Sequence, residues 1–229
     1  MNKYVRVYLV VEGQTEQTFV KNTLAPYMAV KNIFLEPRLL GKNGHKGGHV
    51  TFERVQHDVG IFLKQEPDTY ITTMVDYFRI DSDWPGKREL DQHLNAGGVI
   101  SHHEQAKRLE DAAQHKLEGI HSKQHHQRFF PYVEMHEFEA LLFSDAQKLA
   151  QGIGVQDSDI ERILEQYSGK PEHINSNPKS APSKQILALY PAYRKVVMGS
   201  TIAASIGIER MREVCPHFHQ WLTHMETLS

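Results

Sequence analysis

The sequence predicts an α/β protein: a mostly parallel sheet flanked by helices, followed by a helical C-terminal cap. Three observations predict it. Short apolar runs rich in β-branched and aromatic residues recur as YVRVYLVV, IFLEPRLL, TYITTMVD and RFFPYVEM. Segments of helical spacing separate them, and beyond about residue 155 only short helical segments follow. The 229 residues, 40% hydrophobic and 24% charged, suit one α/β core over 1–154 and a helical extension over 155–229 packed on it.

The elements follow in order. Residues 4–11 alternate loosely and read as a strand buried on both faces. Phe19, Val20, Thr23 and Leu24 fall on one side of a helix from Gln14 to about Leu24, which Pro26 ends or kinks. The run 33–40 reads as a strand, and Pro37 places it at a sheet edge because proline has no N–H to give a ladder. Four glycines make 41–48 a loop, and Phe52, Val55, Val59, Phe62 and Leu63 then share a helix face. TYITTMVD, β-branched and ending in Asp76, is the clearest strand. A long loop is expected over 77–101, then a polar helix from about His102 to Ile120. RFFPYVEM, 128–135, reads as one more strand, and HEFEALLF, 136–143, starts a helix directly after it.

Composition excludes several classes. One cysteine, Cys215, rules out an intrachain disulfide framework, and no charged, apolar, small-residue signal pattern opens the chain, so a cytoplasmic location is expected. No apolar run approaches the roughly 18 residues needed to span a bilayer, so no membrane segment is expected. A net charge of -2 gives no general attraction to nucleic acid, so binding there needs a local basic face or a metal. With 15 histidines, metal-like spacings arise by chance.

The acids carry the chemistry. In a parallel α/β sheet ligands bind at the carboxyl ends of the strands. Strand one ends at Glu12, the strand 69–76 at Asp76 and the strand 128–135 at Glu134, with Glu137 and Glu139 in the helical turn beyond, all directed at one rim. Carboxylates crowded without cations raise one another's pKa values, so a divalent ion is the cheaper account. Oxygen ligands without cysteine favour Mg²⁺ or Mn²⁺, ions that serve phosphate chemistry. Gly13 lets the chain turn out of the strand, with Glu12 at the tip. Glu16, one turn on, either faces the same side or stabilises the helix N-terminus.

With these residues in view, VEGQTEQTFV resembles the first motif of the Toprim fold and TTMVD its second. Together with HEFEALLFSD and APSKQILALYP, nearly the whole chain resembles a bacterial Toprim-like family of unknown function, related to the nuclease domains of overcoming-lysogenization-defect proteins. The resemblance implies a Toprim/Rossmann-like sheet and a Mg²⁺- or Mn²⁺-dependent nuclease of DNA or RNA. It also implies a place in anti-phage defence beside an ABC- or AAA-type ATPase, with further metal ligands from HEFE. In this reading Glu12 and Asp76 are catalytic and metal-binding, Asp81, Glu137 and Glu139 complete the ligands, and Lys184 is a catalytic phosphate contact. One departure stands out. The family pattern is Asp, any residue, Asp, but here the sequence runs Asp76, Tyr77, Phe78. Asp81 and Asp83 either reach back to replace the missing acid or are solvated loop residues. If nothing replaces it, a non-catalytic binding or regulatory subunit of an ATPase complex is the competing expectation.

Other segments keep two readings. GKNGHKGGHV, with Lys42, His45 and Lys46, is a phosphate cradle or a flexible crossover. Lys184 opens a short helix with Ser183 as a possible cap, and is a phosphate contact or an exposed capping segment. His136 is a base or ligand, or packs at a helix start. The pairs His102-His103 and His125-His126 read as surface, and CPHFHQWL as packing.

Overall fold

A computed structural model describes residues 4–40, 50–119, 127–174 and 180–229. Most of the loop GKNGHKGGHV and the pair His125-His126 lie outside the described residues.

Every strand pair among the described residues is parallel. Strand β1 (Val5–Val11) pairs β2 (Ile33–Leu39) on one side and β3 (Thr69–Asp76) on the other. β4 (Phe129–Phe130) and β5 (Val133–Glu134) both pair β3, giving the order β2-β1-β3-β4 with β5 farther along β3. Pro37 sits in the edge strand β2, as its missing N–H requires.

Each sheet face carries its own core. Val7, Leu9, Val11 and Met74 face Phe19, Phe138, Phe218 and Trp221, while Tyr8, Val10, Ile71 and Val75 face Val55, Val59, Leu109 and Ala113. The second layer comes from α3 (Phe52–Gln65) and α5 (His102–Glu118). The first comes from the helix after β1 and from the C-terminal helices, so Leu9 and Phe218, on either side of position 154, share one core. This is the α/β sheet flanked by helices, with a helical C-terminal region, that the alternation predicts. No helix among the described residues is long and apolar enough to cross a membrane.

Local elements depart from expectation in four places. The first helix does not stop at Pro26. It runs as α1 (Gln14–Phe19), a wide π segment Val20–Leu24 and α2 (Ala25–Ala29), with Pro26 in the first turn of α2, where a missing N–H is tolerated. The stretch 77–101 contains α4 (Lys87–Asn95), whose buried face is little more than Leu90, too few apolar positions to show a period. The strand expected over 128–135 is broken at Pro131, which cannot donate to a ladder. Beside the break Thr73 Oγ1 donates to Tyr132 O and accepts from Tyr132 N, both at 2.9 Å, so a side chain replaces the missing ladder step. HEFEALLF forms a 3₁₀ helix, Phe138–Ser144, preceded by an extended Glu137.

Candidate functional site

Asp76 ends β3 with its side chain on the face of Met74, two residues before it. Continued alternation would turn Glu12 to the opposite face. Strand pairing with β3 ends at Val11, the chain bends through Glu12 and Gly13, and the Glu12 carboxylate comes close enough to raise the pKa of Asp76. Gly13 has an extended backbone that any residue could adopt; its particular value is room. A Cβ there would stand 3.0 Å from Glu16 Oε2, the oxygen that accepts the Gly13 N–H at 3.0 Å. Glu16 therefore caps the helix start, and it also belongs to the acid cluster.

The other acids arrive on the segment after β5. Phe138 N donates to Asp76 Oδ1 at 3.0 Å, and the Phe138 ring packs 5.1 Å from that of Phe19 on α1. This fixes Glu137 and Glu139, which flank Phe138, beside Glu16 and Asp76. Glu137 Oε2 accepts the Ser183 N–H at 3.1 Å, so the protein's own carboxylate takes the N-terminus of α6 (Pro182–Leu189). The Ser183 side chain does not cap, and Lys184 is exposed at that turn. Glu139, only 1% exposed, receives Lys195 Nζ on Oε2 at 3.1 Å.

Electrostatics reflect the crowding. Burial, then Glu16, Glu12, Glu139 and Glu137, push Asp76 well above the ordinary aspartate range. Burial raises Glu12 to about 7, with Arg79, 3.6 Å away, and Lys195 opposing and Glu16 and Glu137 adding. Glu139 reaches about 7 mainly through burial, against the pull of Lys195. Burial raises Tyr193 too, with help from Glu139 and Glu137. Lys195 is pulled down by burial but rises on balance because Glu139, Glu137 and Asp76 surround it. Glu12 Oε2, Glu139 Oε1 and the Tyr193 hydroxyl are buried without hydrogen-bond partners.

Three acids named by the sequence go elsewhere. Glu134 is fully buried, accepts the Tyr132 hydroxyl at 2.8 Å, and has Glu172 and Glu110 as its charged neighbours. Its partner Tyr132 stands two residues earlier on the same strand face and draws it away from the rim. Asp81 Oδ1 accepts its neighbour's N–H, from Ser82 at 2.6 Å, and both Asp83 oxygens accept Phe52 N, at 3.2 and 3.1 Å, capping α3. Sequence reasoning missed Lys195, Arg79 and Tyr193. Arg79, three residues past Asp76, is the only one with a signal, a cation just beyond a strand-end acid.

Among the described residues no three acids, histidines or cysteines stand close enough to hold a metal ion as they are. The donor chemistry nonetheless fits a hard cation. It is all oxygen, two carboxylate oxygens lack partners, and Mg²⁺ uses one or two protein carboxylates with water and substrate oxygens completing its shell.

Fold and site thus define a parallel α/β protein with an acid cluster, crossed by Lys195 and Arg79, at the carboxyl ends of its central strands. The chain belongs to the DUF4276 family, described as a domain of unknown function, whose sequence model matches residues 11–226. No curated protein matches it. Among solved structures, the C-terminal region of the Xanthomonas campestris pv. campestris OLD protein aligns at 14% identity over 96% of this chain and 97% of that one, with a TM-score of 0.34. A likeness that low carries no weight for chemistry, which rests on the geometry above.

Proposed function

We propose that this chain is a metal-dependent phosphodiesterase acting on nucleic acid. The observation that carries the reading is the cluster of Glu12, Glu16, Asp76, Glu137 and Glu139, whose mutual repulsion and burial raise Asp76 and whose Glu12 and Glu139 each keep one buried oxygen without a partner. Such a group is destabilising until a cation shares it. Glu12, Asp76 and Glu139 would hold the ion, which when bound supplies Lewis-acid stabilisation of phosphoryl oxygens. Glu137 and Glu16 are committed to the Ser183 and Gly13 amides and act as positioning residues. Glu12, whose Oε2 has no partner, is also the acid assigned to take a proton from an attacking water. Arg79 and Lys195 supply positive charge where the chain as a whole offers none, in addition to the phosphate contact proposed for Lys184.

The purified chain should cut DNA or RNA in Mg²⁺ or Mn²⁺ and stop in EDTA. Glu12→Gln and Asp76→Asn should each lower the rate by roughly 10²-fold or more. Cutting undiminished by both substitutions would overturn the reading.

One observation favours a second reading, a non-catalytic binding or regulatory subunit: Phe78 stands where the resembled pattern has its second aspartate, and it stacks on His136. Calorimetric titration decides between them, because absence of Mg²⁺ and Mn²⁺ binding at millimolar concentration favours the second. The ATPase partner is supported by the sequence resemblance alone, and co-purification with the product of an adjacent ATPase gene tests it.

A further inference from the structure

A cavity of about 570 Å³ opens past the carboxyl end of β3, lined by Tyr77, Phe78, Lys87, His102, Gln105 and His136 among others. Phe78 lies two residues beyond Asp76, and His136 immediately precedes Glu137, so the cavity and the rim share their supporting segments. One wall is aromatic. Phe78 stacks on His136 with ring centroids 5.2 Å apart and planes 22° apart. Tyr77 and His102 meet the same imidazole edge-on at 5.4 and 4.7 Å. His136 is 1% exposed, and the backbone of Ile174 is the polar group nearest its ring, too poorly aligned for a full hydrogen bond. The cavity's cation is already neutralised, because Lys87 Nζ lies 2.7 Å from Asp91 Oδ2 and over the Tyr77 ring. At the mouth stands Val99, 93% exposed. A space with no net charge and one aromatic wall suits an uncharged planar heterocycle better than a phosphate.

Resting on the phosphodiesterase reading, we propose that this cavity takes an unstacked nucleobase of the strand whose phosphate meets the acid cluster. The base packs against the Phe78–His136 wall. Phe78 thus occupies the position of the missing second acid with a different task, holding the substrate strand in place of a metal. A base must leave its helical stack to enter, so the preferred substrate is single-stranded or locally opened.

Free nucleosides, which carry no phosphate, separate this proposal from the reading it rests on. Ligand-observed saturation-transfer NMR on the full chain in EDTA should show transfer to nucleoside base protons. Transfer should fall in Phe78→Leu, which keeps apolar volume without a π face, and in Val99→Trp, which blocks the mouth from an exposed position. It should persist in Glu12→Gln. Removing the base nearest the scissile phosphate of a single-stranded oligonucleotide should raise KM about 5- to 150-fold, the range of one base–aromatic stack. No transfer from millimolar nucleosides to the unaltered protein, or transfer undiminished in both cavity variants, overturns the proposal. Nucleoside binding without any strand cleavage leaves the cavity assignment standing and removes the phosphodiesterase. Cleavage indifferent to the missing base, without nucleoside binding, does the reverse.

Discussion

The Phe138 ring lies 5.1 Å from that of Phe19, and the Phe138 amide donates to Asp76 at 3.0 Å. One residue thereby ties three carriers of acid together: α1 with Glu16, β3 with Asp76, and its own segment with Glu137 and Glu139. Removing the ring should loosen the cluster as well as the core. Phe138→Ala is expected to cost about 3–5 kcal/mol of stability, the usual price of a large buried aromatic. Phe138→Leu should cost less and leave measurable metal binding. Denaturant unfolding of both variants, with calorimetric metal titration of the folded fraction, checks this.

Lys195 and Glu139 should respond in opposite directions. Lys195→Met leaves the Glu139 carboxylate, 1% exposed, without its cation. The expected loss is about 1–3 kcal/mol, below that of a fully buried pair because the lysine side chain is 37% exposed. Glu139→Gln removes one repelling charge from Asp76, so the metal-free protein should be as stable as before or more so, while cleavage falls. Thermal melts in EDTA beside cleavage assays in Mg²⁺ read the two effects separately.

Stability should fall as pH rises through the neutral range. Glu12 and Glu139 each rise from an ordinary 4.5 to about 7 in the folded protein, so the folded state holds their protons more tightly than the unfolded state does. The resulting stabilisation is complete below the unfolded value and is lost as pH climbs through the folded one. The melting temperature in EDTA should therefore decline between about pH 6.5 and 8, above the range in which buried His136, lowered to about 3, adds stability as pH rises. Millimolar Mg²⁺ or Mn²⁺ should flatten the decline, since an ion takes over as the protons leave. A melting temperature that rises through that window in EDTA would contradict the crowding of the acids.

A separate buried network should matter for stability alone. Glu110 Oε1 accepts both Val133 N at 2.8 Å and His217 Nε2 at 2.9 Å, closing the backbone of β5 at the sheet margin. Glu110→Ala leaves a backbone N–H and an imidazole without that acceptor, and about 1–3 kcal/mol should be lost. Metal affinity should not change, which titration of the variant checks.

The strands and long helices were legible because their periods are local: alternation in TYITTMVD and the spacing of Phe52, Val55 and Val59 need no knowledge of distant residues. The strand-end acids Glu12 and Asp76 were legible for a related reason, since a parallel sheet brings all its carboxyl ends to one rim. α4 was hidden because Leu90 gives too little apolar periodicity, and the break at Pro131 because Thr73, far off in sequence, mends it. Lys195 carried no signal at all in YRKVV, for nothing near it in the chain is acidic.

By itself the sequence determined the sheet, its direction and the residues able to end at its rim, because backbone propensity and side-chain alternation act between near neighbours. Only the tertiary structure decided that Glu134 joins Tyr132 and not the rim, that Asp81 and Asp83 serve their own turns and caps, and that Lys195 answers Glu139. Those choices depend on which partner stands within hydrogen-bonding distance once the two faces of the sheet are covered, and electrostatics between groups far apart in the chain are settled by distance and burial alone.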